Sequence, residues 1–121
     1  MKIQKYNISS ILVIFITLIS CNNTTEVENN ILKVSGHVYD ANDNNPFGDV
    51  PIIAFTTCDT LKKVNANSNS SSGAYLIEIN MNGCEGEFHS WFRAPNYEEY
   101  HFVIEGVKGG EEYTRDVYLT D

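Results

Sequence analysis

The sequence predicts an all-β protein, a seven-stranded antiparallel β-sandwich that follows an N-terminal signal segment. From residue 31 onward, apolar and polar side chains alternate with a period of two, the spacing of a strand with one buried face. Segments rich in Gly, Asn, Ser and Pro separate these stretches, and no window after residue 30 shows the 3.6-residue period of an amphipathic helix. Several short strands at such spacing are typical of a sandwich.

Seven stretches of the chain carry the strand pattern. In the first of them, Leu32, Val34 and Val38 alternate with polar neighbours. Between the fourth and fifth, Asn82 and Gly83 supply a two-residue hairpin turn, because both residue types tolerate a positive φ. The predicted strands are residues 31–39, 50–55, 61–66, 74–80, 87–93, 99–105 and 112–119.

Five short motifs follow one another in a recognisable order. They are VSGHVYD at 34–40, PFGDVPI at 46–52, NSSSGAY at 69–75, an aromatic residue at Tyr97 and VYL at 117–119. This order resembles the carboxypeptidase regulatory-like domain, a seven-stranded sandwich of the transthyretin-like type. The resemblance implies an accessory module of the kind found in peptidases, outer-membrane receptors or lipoproteins, and the motifs it rests on are structural.

The N-terminal segment reads as an export signal. Residues 11–21, ILVIFITLISC, form an apolar run behind Lys2 and Lys5. A charged start, a short apolar stretch and small residues at its end are the features of a secretory signal. The run is shorter than the roughly 20 apolar residues that span a bilayer. An uncleaved membrane anchor and a plain signal-peptidase cut are the alternatives.

The end of this segment, LISC at residues 18–21, resembles the lipobox of bacterial lipoproteins. The resemblance implies that the chain is cut before Cys21 and that acyl chains are attached to its thiol. We therefore expect a signal peptide over residues 1–20, a polar tether over 21–30 and the β-domain over 31–121. The lipid on Cys21 would then attach the protein to its membrane partner, the outer membrane of the cell envelope. The β-domain would face either the periplasm or the cell surface.

The charge balance bears on the class of partner. The chain has 8 basic and 16 acidic residues, a formal net charge of −8. Such a surface repels nucleic acid and anionic membrane, so we expect no nucleic-acid partner. The acids are scattered, with no run longer than two, which is consistent with solubility of an exported domain.

The cysteines form a pair once Cys21 is assigned to the lipid. Cys58 and Cys84 remain, and an even pair in an oxidising compartment is a disulfide candidate. Cys58 lies in the turn after the second strand and Cys84 in the turn after the fourth, so both fall at the same end of an antiparallel sandwich. Closing about 25 residues would stabilise the fold by roughly 3 kcal/mol. Two free, partly buried thiols are the alternative.

An aromatic patch is predicted on the fifth and sixth strands. If they pair through residues 94–98, Trp91 lies opposite His101, and Phe88 and Phe92 face the core. An exposed Trp beside polar groups suits stacking on a sugar ring or docking of a partner. A register shift of one residue would bury Trp91 instead. The outward set is His89, Trp91, Arg93 and His101, and the candidate ligand-binding residues are Trp91, Arg93, Tyr97 and His101.

The sequence indicates neither a metal nor a cofactor. Asp40, Asn42 and Asn44 resemble the first ligands of a calcium loop, but the sixth position lacks Gly and the twelfth is Pro51. The three histidines form no ligand motif. The sequence has no nucleophile elbow, P-loop, His-Glu-x-x-His or Cys-x-x-Cys. We therefore expect that the chain is not an enzyme.

These observations lead to one expected function with two alternatives. We expect a lipid-anchored module of the cell envelope with a non-catalytic binding or structural role, and with envelope proteins or glycans as partners. Its contact surface would be the loops 41–48, 67–73 and 94–98, since loops on a rigid sandwich commonly carry recognition. The first alternative is a carbohydrate-binding lipoprotein that uses Trp91 and nearby tyrosines. The second is a small envelope hydrolase, which would need a cleft with perturbed acids.

Overall fold

The computed structural model describes residues 30–121, which fold into eight β-strands. Within this range no helix is long and apolar enough to cross a membrane. The predicted signal peptide (1–20) and the tether up to residue 29, with Cys21, lie outside the described residues. The strands are β1 (Ile31–Asp40), β2 (Pro51–Thr56), β3 (Asp59–Asn67), β4 (Ala74–Asn80), β5 (Glu85–Phe92), β6 (Tyr100–Lys108), β7 (Glu112–Thr114) and β8 (Val117–Leu119).

The strands form two sheets that pack face to face. β1 is central in the first sheet, with β4 on one side and both β7 and β8 on the other. The second sheet has the order β3-β2-β5-β6, and its strands are antiparallel throughout. The predictions of an all-β fold and of a sandwich are therefore confirmed.

Alternating side chains of the two sheets form the core between them. In β1, Leu32, Val34 and Val38 are completely buried, while the residues between them are more exposed, apart from Gly36. Phe92 of β5 meets Tyr75 of β4 edge to face, with 5.1 Å between the ring centroids. This contact joins the two sheets. Each large apolar side chain buried in this way stabilises the fold by about 1.5–3 kcal/mol.

The predicted last strand, residues 112–119, is two strands that are interrupted at Arg115 and Asp116. Gly36 of β1 lies against the interruption, where a Cβ atom would be 2.0 Å from the carbonyl oxygen of Arg115. The backbone amide of His37 donates to Oδ1 of Asp116 at 3.0 Å, not to a main-chain carbonyl. A side chain thus replaces one step of the strand ladder, and the sandwich has eight strands where seven were expected.

The last two strands run parallel to β1, so the expectation of a wholly antiparallel sandwich is wrong. β6 ends in the second sheet, and the turn at Gly109 and Gly110 carries the chain across to the first. A Cβ at Gly109 would lie 2.7 Å from the backbone of Asn30, and the Gly110 amide donates to the Ile31 carbonyl at 3.0 Å. The chain therefore joins β1 at its beginning and follows it in the same direction.

Candidate functional site

The outer face of the second sheet is set by the register of β2, β5 and β6. Trp91 of β5 lies opposite Ile53 of β2 and opposite His101 of β6. His89, two residues earlier, lies opposite Phe55. Because alternate residues of a strand point to the same side, these side chains share the face that is turned away from the core. The predicted pairing of Trp91 with His101 is confirmed.

Four rings on this face pack against one another, and we call them the ring row: Phe55, His89, Trp91 and His101. The rings of Trp91 and His101 are parallel within 2°, with centroids 4.4 Å apart. The Phe55 centroid lies 5.2 Å from that of His89 and 5.4 Å from that of Trp91. The two imidazoles are 5.6 Å apart. Each ring touches at least two others, so the row is ordered before any ligand arrives.

Trp91 is half-buried by the ring row and not by the core. His101 covers one side of the indole, and Phe55 approaches from the other side, because β6 and β2 flank β5. The indole is therefore contacted by rings from both neighbouring strands. The neighbouring residue Phe92 fills the core, so Trp91 faces outward as predicted and the shifted register is excluded.

Polar groups surround the rings. Nδ1 of His89 lies 3.4 Å from Nε2 of His101, and Nε2 of His89 lies 3.2 Å from Oε1 of Glu87. Nζ of Lys63 lies 5.4 Å from the centroid of Phe55, which is a cation–π distance. The site thus combines apolar ring surface with one acidic and one basic side chain at its border.

The structure brings two of the four predicted ligand-binding residues together and places the other two elsewhere. Trp91 and His101 belong to the ring row. Arg93 lies just beyond β5, is exposed and forms an ion pair with Glu99 across the turn. Tyr97 lies elsewhere and makes its polar contact with Asp40.

Tyr97 ties the turn between β5 and β6 to the segment that follows β1. Its hydroxyl donates to Oδ2 of Asp40 at 2.6 Å, and its ring meets Phe47 edge to face at 4.8 Å between centroids. This hydrogen bond holds the pKa of the Asp40 carboxyl below its ordinary value and raises the pKa of the Tyr97 phenol to about 12. Tyr97 therefore orders the loops of the sandwich and does not face Trp91.

The three loops predicted as a contact surface meet at one end of the sandwich. Gly48 lies so close to Ser70 that an added Cβ would be 2.5 Å from the Ser70 carbonyl oxygen. The buried hydroxyl of Ser68 donates to the Phe47 carbonyl at 2.8 Å and accepts from the Val50 amide at 2.9 Å. We call this surface the loop end, and it comprises residues 41–48, 67–73 and 94–98.

A disulfide between Cys58 and Cys84 closes the opposite end, with 6.1 Å between the Cα atoms and a sequence separation of 26. The predicted bridge is confirmed. A cavity of about 250 Å³ opens beside it between β3 and β4. Its lining mixes charged Lys62 and Glu78 with apolar groups such as Met81, and no single chemistry dominates it.

Within residues 30–121, no group of three or more His, Cys, Asp or Glu side chains lies close enough to hold a metal ion. Asp40, the first residue of the partial calcium motif, accepts hydrogen bonds from the Tyr97 hydroxyl and from the Asn42 amide. Its carboxylate is therefore occupied in ordering the loop.

Sequence reasoning did not assign Phe55, Lys63 and Glu87 to the site. β2 reads PIIAFT, a nearly continuous apolar run, so alternation alone does not tell which face Phe55 occupies. Glu87 lies two and four residues before His89 and Trp91, and this spacing on a strand was the available signal.

Neither a protein-family model nor a curated protein matches the sequence. Solved structures with a similar fold do. The chlorocatechol 1,2-dioxygenase of Pseudomonas putida is 10% identical, with a TM-score of 0.59 over 77% of this chain and 61% of that chain. The 3-chlorocatechol 1,2-dioxygenase of Rhodococcus opacus 1CP is 12% identical, with a TM-score of 0.56 over 78% and 61%. The Bacillus anthracis TIE protein is 14% identical, with a TM-score of 0.55 over 75% and 17%.

These likenesses concern the fold of the β-domain. The chain spans 61% of the length of the two dioxygenases and 17% of that of the TIE protein. They nevertheless correct one expectation, that the chain is not an enzyme. That expectation rested on missing sequence motifs, and the dioxygenases are enzymes that contain this fold. The absence of common catalytic motifs from the sequence therefore does not exclude catalysis.

Proposed function

We propose that the protein is a lipid-anchored β-sandwich module of the bacterial cell envelope that binds an envelope protein through the ring row. The observation that carries this proposal is that four packed rings lie on the outer face of a sheet. An outer face is ordinarily polar. Aromatic side chains that are already ordered lose little conformational entropy on binding, and interfaces are enriched in them.

The fold supports the proposed type of module. Two packed sheets, a Pro-containing turn before β2 and a final Val-x-Leu strand suit a carboxypeptidase regulatory-like domain of the transthyretin-like type. The loop end is a second surface available for contact. It lies at the end of the sandwich opposite Asn30, since the chain enters β1 at the disulfide end, where the Met81 amide donates to the Asn30 carbonyl at 2.9 Å.

The binding part of the proposal is tested by affinity capture from detergent extracts of envelopes. Trp91→Ala removes the central ring of the row. Tyr118→Ala is the matched control, because Tyr118 is an aromatic residue on the other sheet and is 49% exposed. We expect a partner that the wild type and Tyr118→Ala retain and that Trp91→Ala loses. Equal retention by all three, with thermal unfolding unchanged, would contradict a role for the ring row.

The anchoring part rests on Cys21 and is tested separately. In the Cys21→Ser variant we expect the protein to leave the membrane fraction and the mass shift of the acyl chains to disappear. A variant that stays membrane-bound with an uncut N-terminus would show that residues 1–20 act as a plain anchor. Fractionation and intact-mass measurement decide between these outcomes, independently of the capture experiment.

A carbohydrate ligand is the second candidate, favoured by an outward indole with the Glu87 carboxylate and the Lys63 ammonium at the border of the ring row. Sugar rings stack on an open aromatic face, but His101 covers one face of Trp91 at 4.4 Å. A sugar that stacks on that face would therefore have to displace the imidazole. On a glycan array, His101→Ala should bind more strongly than the wild type if Trp91 is the stacking platform. Absence of glycan binding by both proteins would rule this candidate out.

A further inference from the structure

We propose that His89 and His101 form a two-histidine chelate for a divalent transition-metal ion such as Zn²⁺, Ni²⁺ or Cu²⁺. The two residues occupy diagonal positions on neighbouring strands, since His101 lies opposite Trp91 and His89 is two residues earlier on β5. Their facing nitrogens, Nδ1 of His89 and Nε2 of His101, are 3.4 Å apart. This inference does not depend on the proposed partner.

The separation of the two nitrogens fits the geometry of a metal chelate. Bonds from zinc to imidazole nitrogen are about 2.1 Å, so a tetrahedral ion separates two ligand nitrogens by about 3.4 Å. The observed distance has this value. A square-planar ion such as Cu²⁺ brings neighbouring ligands to about 3.0 Å, which a small rotation of the exposed His101 ring provides.

Glu87 sets the proton position on His89. An ionised carboxylate only accepts hydrogen bonds, so Nε2 of His89 donates to Oε1 of Glu87 at 3.2 Å and carries the ring proton. Nδ1 of His89 is then unprotonated and directs its lone pair toward His101. In the ion-free protein Nε2–H of His101 donates to Nδ1 of His89. When the ion binds, the ring proton of His101 is on Nδ1 and Nε2 is the ligand. A carboxylate behind a ligating histidine is the arrangement that orients imidazoles in metal sites.

The ring row holds both imidazoles in place. His101 is stacked on Trp91, and His89 lies between Phe55 and His101, with its side chain 21% exposed. The His101 side of the pair is open to solvent. Two protein ligands are therefore ordered in advance, and water completes the coordination shell.

The donor set selects the class of ion. Imidazole suits zinc, copper and nickel, whereas calcium and magnesium require oxygen ligands. No third His, Cys, Asp or Glu completes the group within residues 30–121, so the site has two protein ligands and open positions. The net charge of −8 attracts cations to the surface. For equal geometry, affinity rises from nickel to copper and falls again at zinc.

The chain contains its own reporter for this site. Trp91 is the single tryptophan, and its ring lies 4.4 Å from the His101 ring. Cu²⁺ bound to His101 will quench the Trp91 fluorescence, because an open-shell ion quenches at contact distance. Zn²⁺ has a filled d shell and does not quench in this way, so a large excess of Zn²⁺, which competes for the site although it binds more weakly than Cu²⁺, will restore the signal. The titration uses the full-length chain in detergent after treatment with a chelator.

Three variants decide whether the chelate exists. His37→Ala is the matched control, because His37 is the remaining histidine and lies in the first sheet, on β1. We expect one equivalent of Zn²⁺ by calorimetry for the wild type and for His37→Ala, and a loss of affinity of more than about tenfold for His101→Ala and for His89→Ala. Glu87→Gln should weaken binding by about tenfold or more while leaving both ligands in place.

Calorimetry does not use Trp91, so altered stacking in the His101→Ala variant leaves that readout intact. Circular dichroism verifies that each variant is folded. Binding that is unchanged in both His89→Ala and His101→Ala, or that falls equally in His37→Ala, would overturn the proposal. So would a wild type that takes up no Zn²⁺ while its fluorescence remains insensitive to Cu²⁺.

Discussion

Ser90 is completely buried in β5 between two inward-facing phenylalanines, and its hydroxyl finds no hydrogen-bond partner among the described residues. A buried hydroxyl without a partner costs about 1–3 kcal/mol of desolvation. We expect Ser90→Ala to leave the free energy of unfolding unchanged or to raise it by about 1 kcal/mol. Urea unfolding measures this, and a clear loss of stability would show that the hydroxyl is satisfied in solution.

The hydrogen bond between Tyr97 and Asp40 makes stability depend on pH in a defined direction. The pKa of Asp40 is lowered in the folded state, so its contribution is present above the ordinary value near 3.9 and is lost as the pH falls through the folded pKa. The pKa of Tyr97 is raised to about 12, so its contribution is present below about 10 and is lost as the pH rises through about 12.

Replacing Tyr97 with Phe removes the hydroxyl and keeps the ring on Phe47. We expect Tyr97→Phe to have a lower urea midpoint than the wild type at pH 7, where both groups contribute. The difference should narrow at pH 3, where the Asp40 carboxyl of the unfolded chain is protonated. Tyr118→Phe, on the outer face of the first sheet, is the control. A difference that is constant from pH 7 to pH 3 would assign the effect to packing.

At the scale of the element, alternate side chains of β5 point to opposite faces of the second sheet, one set into the core and the other into the ring row. Phe92 is completely buried and contacts Tyr75 and Phe102, whereas Trp91 is half-buried on the other face. We expect Phe92→Ala to lower the free energy of unfolding by about 3–5 kcal/mol. Trp91→Ala removes ring contacts outside the core and should cost about 1–2 kcal/mol. Denaturant titrations of the two variants compare the faces directly, and the reverse ranking would contradict the observed register.

Some elements were predictable because their information is local. β4 has the bounds predicted for it, and the pairing of Trp91 with His101 follows from alternation on two strands joined by a short turn. The break between β7 and β8 depends on Gly36, about 80 residues away in the chain, where the approach of Arg115 ends the ladder. No local pattern contains such a contact, and the crossing from β6 to the first sheet is similarly non-local.

The residues of the candidate site likewise divide into those that local sequence predicts and those that it does not. Trp91 and His101 were placed by strand periodicity, whereas Phe55 belongs to an apolar run in which both faces of the strand look alike. Tyr97 lies near Trp91 in sequence, and the two were predicted to share a site. In the structure the Tyr97 hydroxyl donates to Asp40, which is 57 residues earlier in the chain. Proximity in sequence predicts position within one hairpin and not contacts between hairpins.

At the scale of the whole molecule, the disulfide links the turn after β2 to the turn after β4. It closes a loop of 26 residues in the unfolded chain, which stabilises the fold by about 3 kcal/mol. We expect the double variant Cys58→Ser, Cys84→Ser to lose about that amount in urea unfolding. A reductant should lower the wild-type midpoint to that of the double variant and leave the double variant unchanged. A wild type insensitive to full reduction would contradict the entropic contribution.

The parallel placement of β8 beside β1 has a mechanical consequence. The chain enters β1 at the disulfide end, and β8 finishes at the loop end, where the Ala41 amide donates to the Leu119 carbonyl at 2.9 Å. A force applied between Asn30 and the end of β8 therefore pulls along the strand axes in opposite senses. The hydrogen bonds between the two strands are loaded in shear and share the load, whereas a peeled hairpin breaks them one at a time. The domain is thus suited to carry tension along its length.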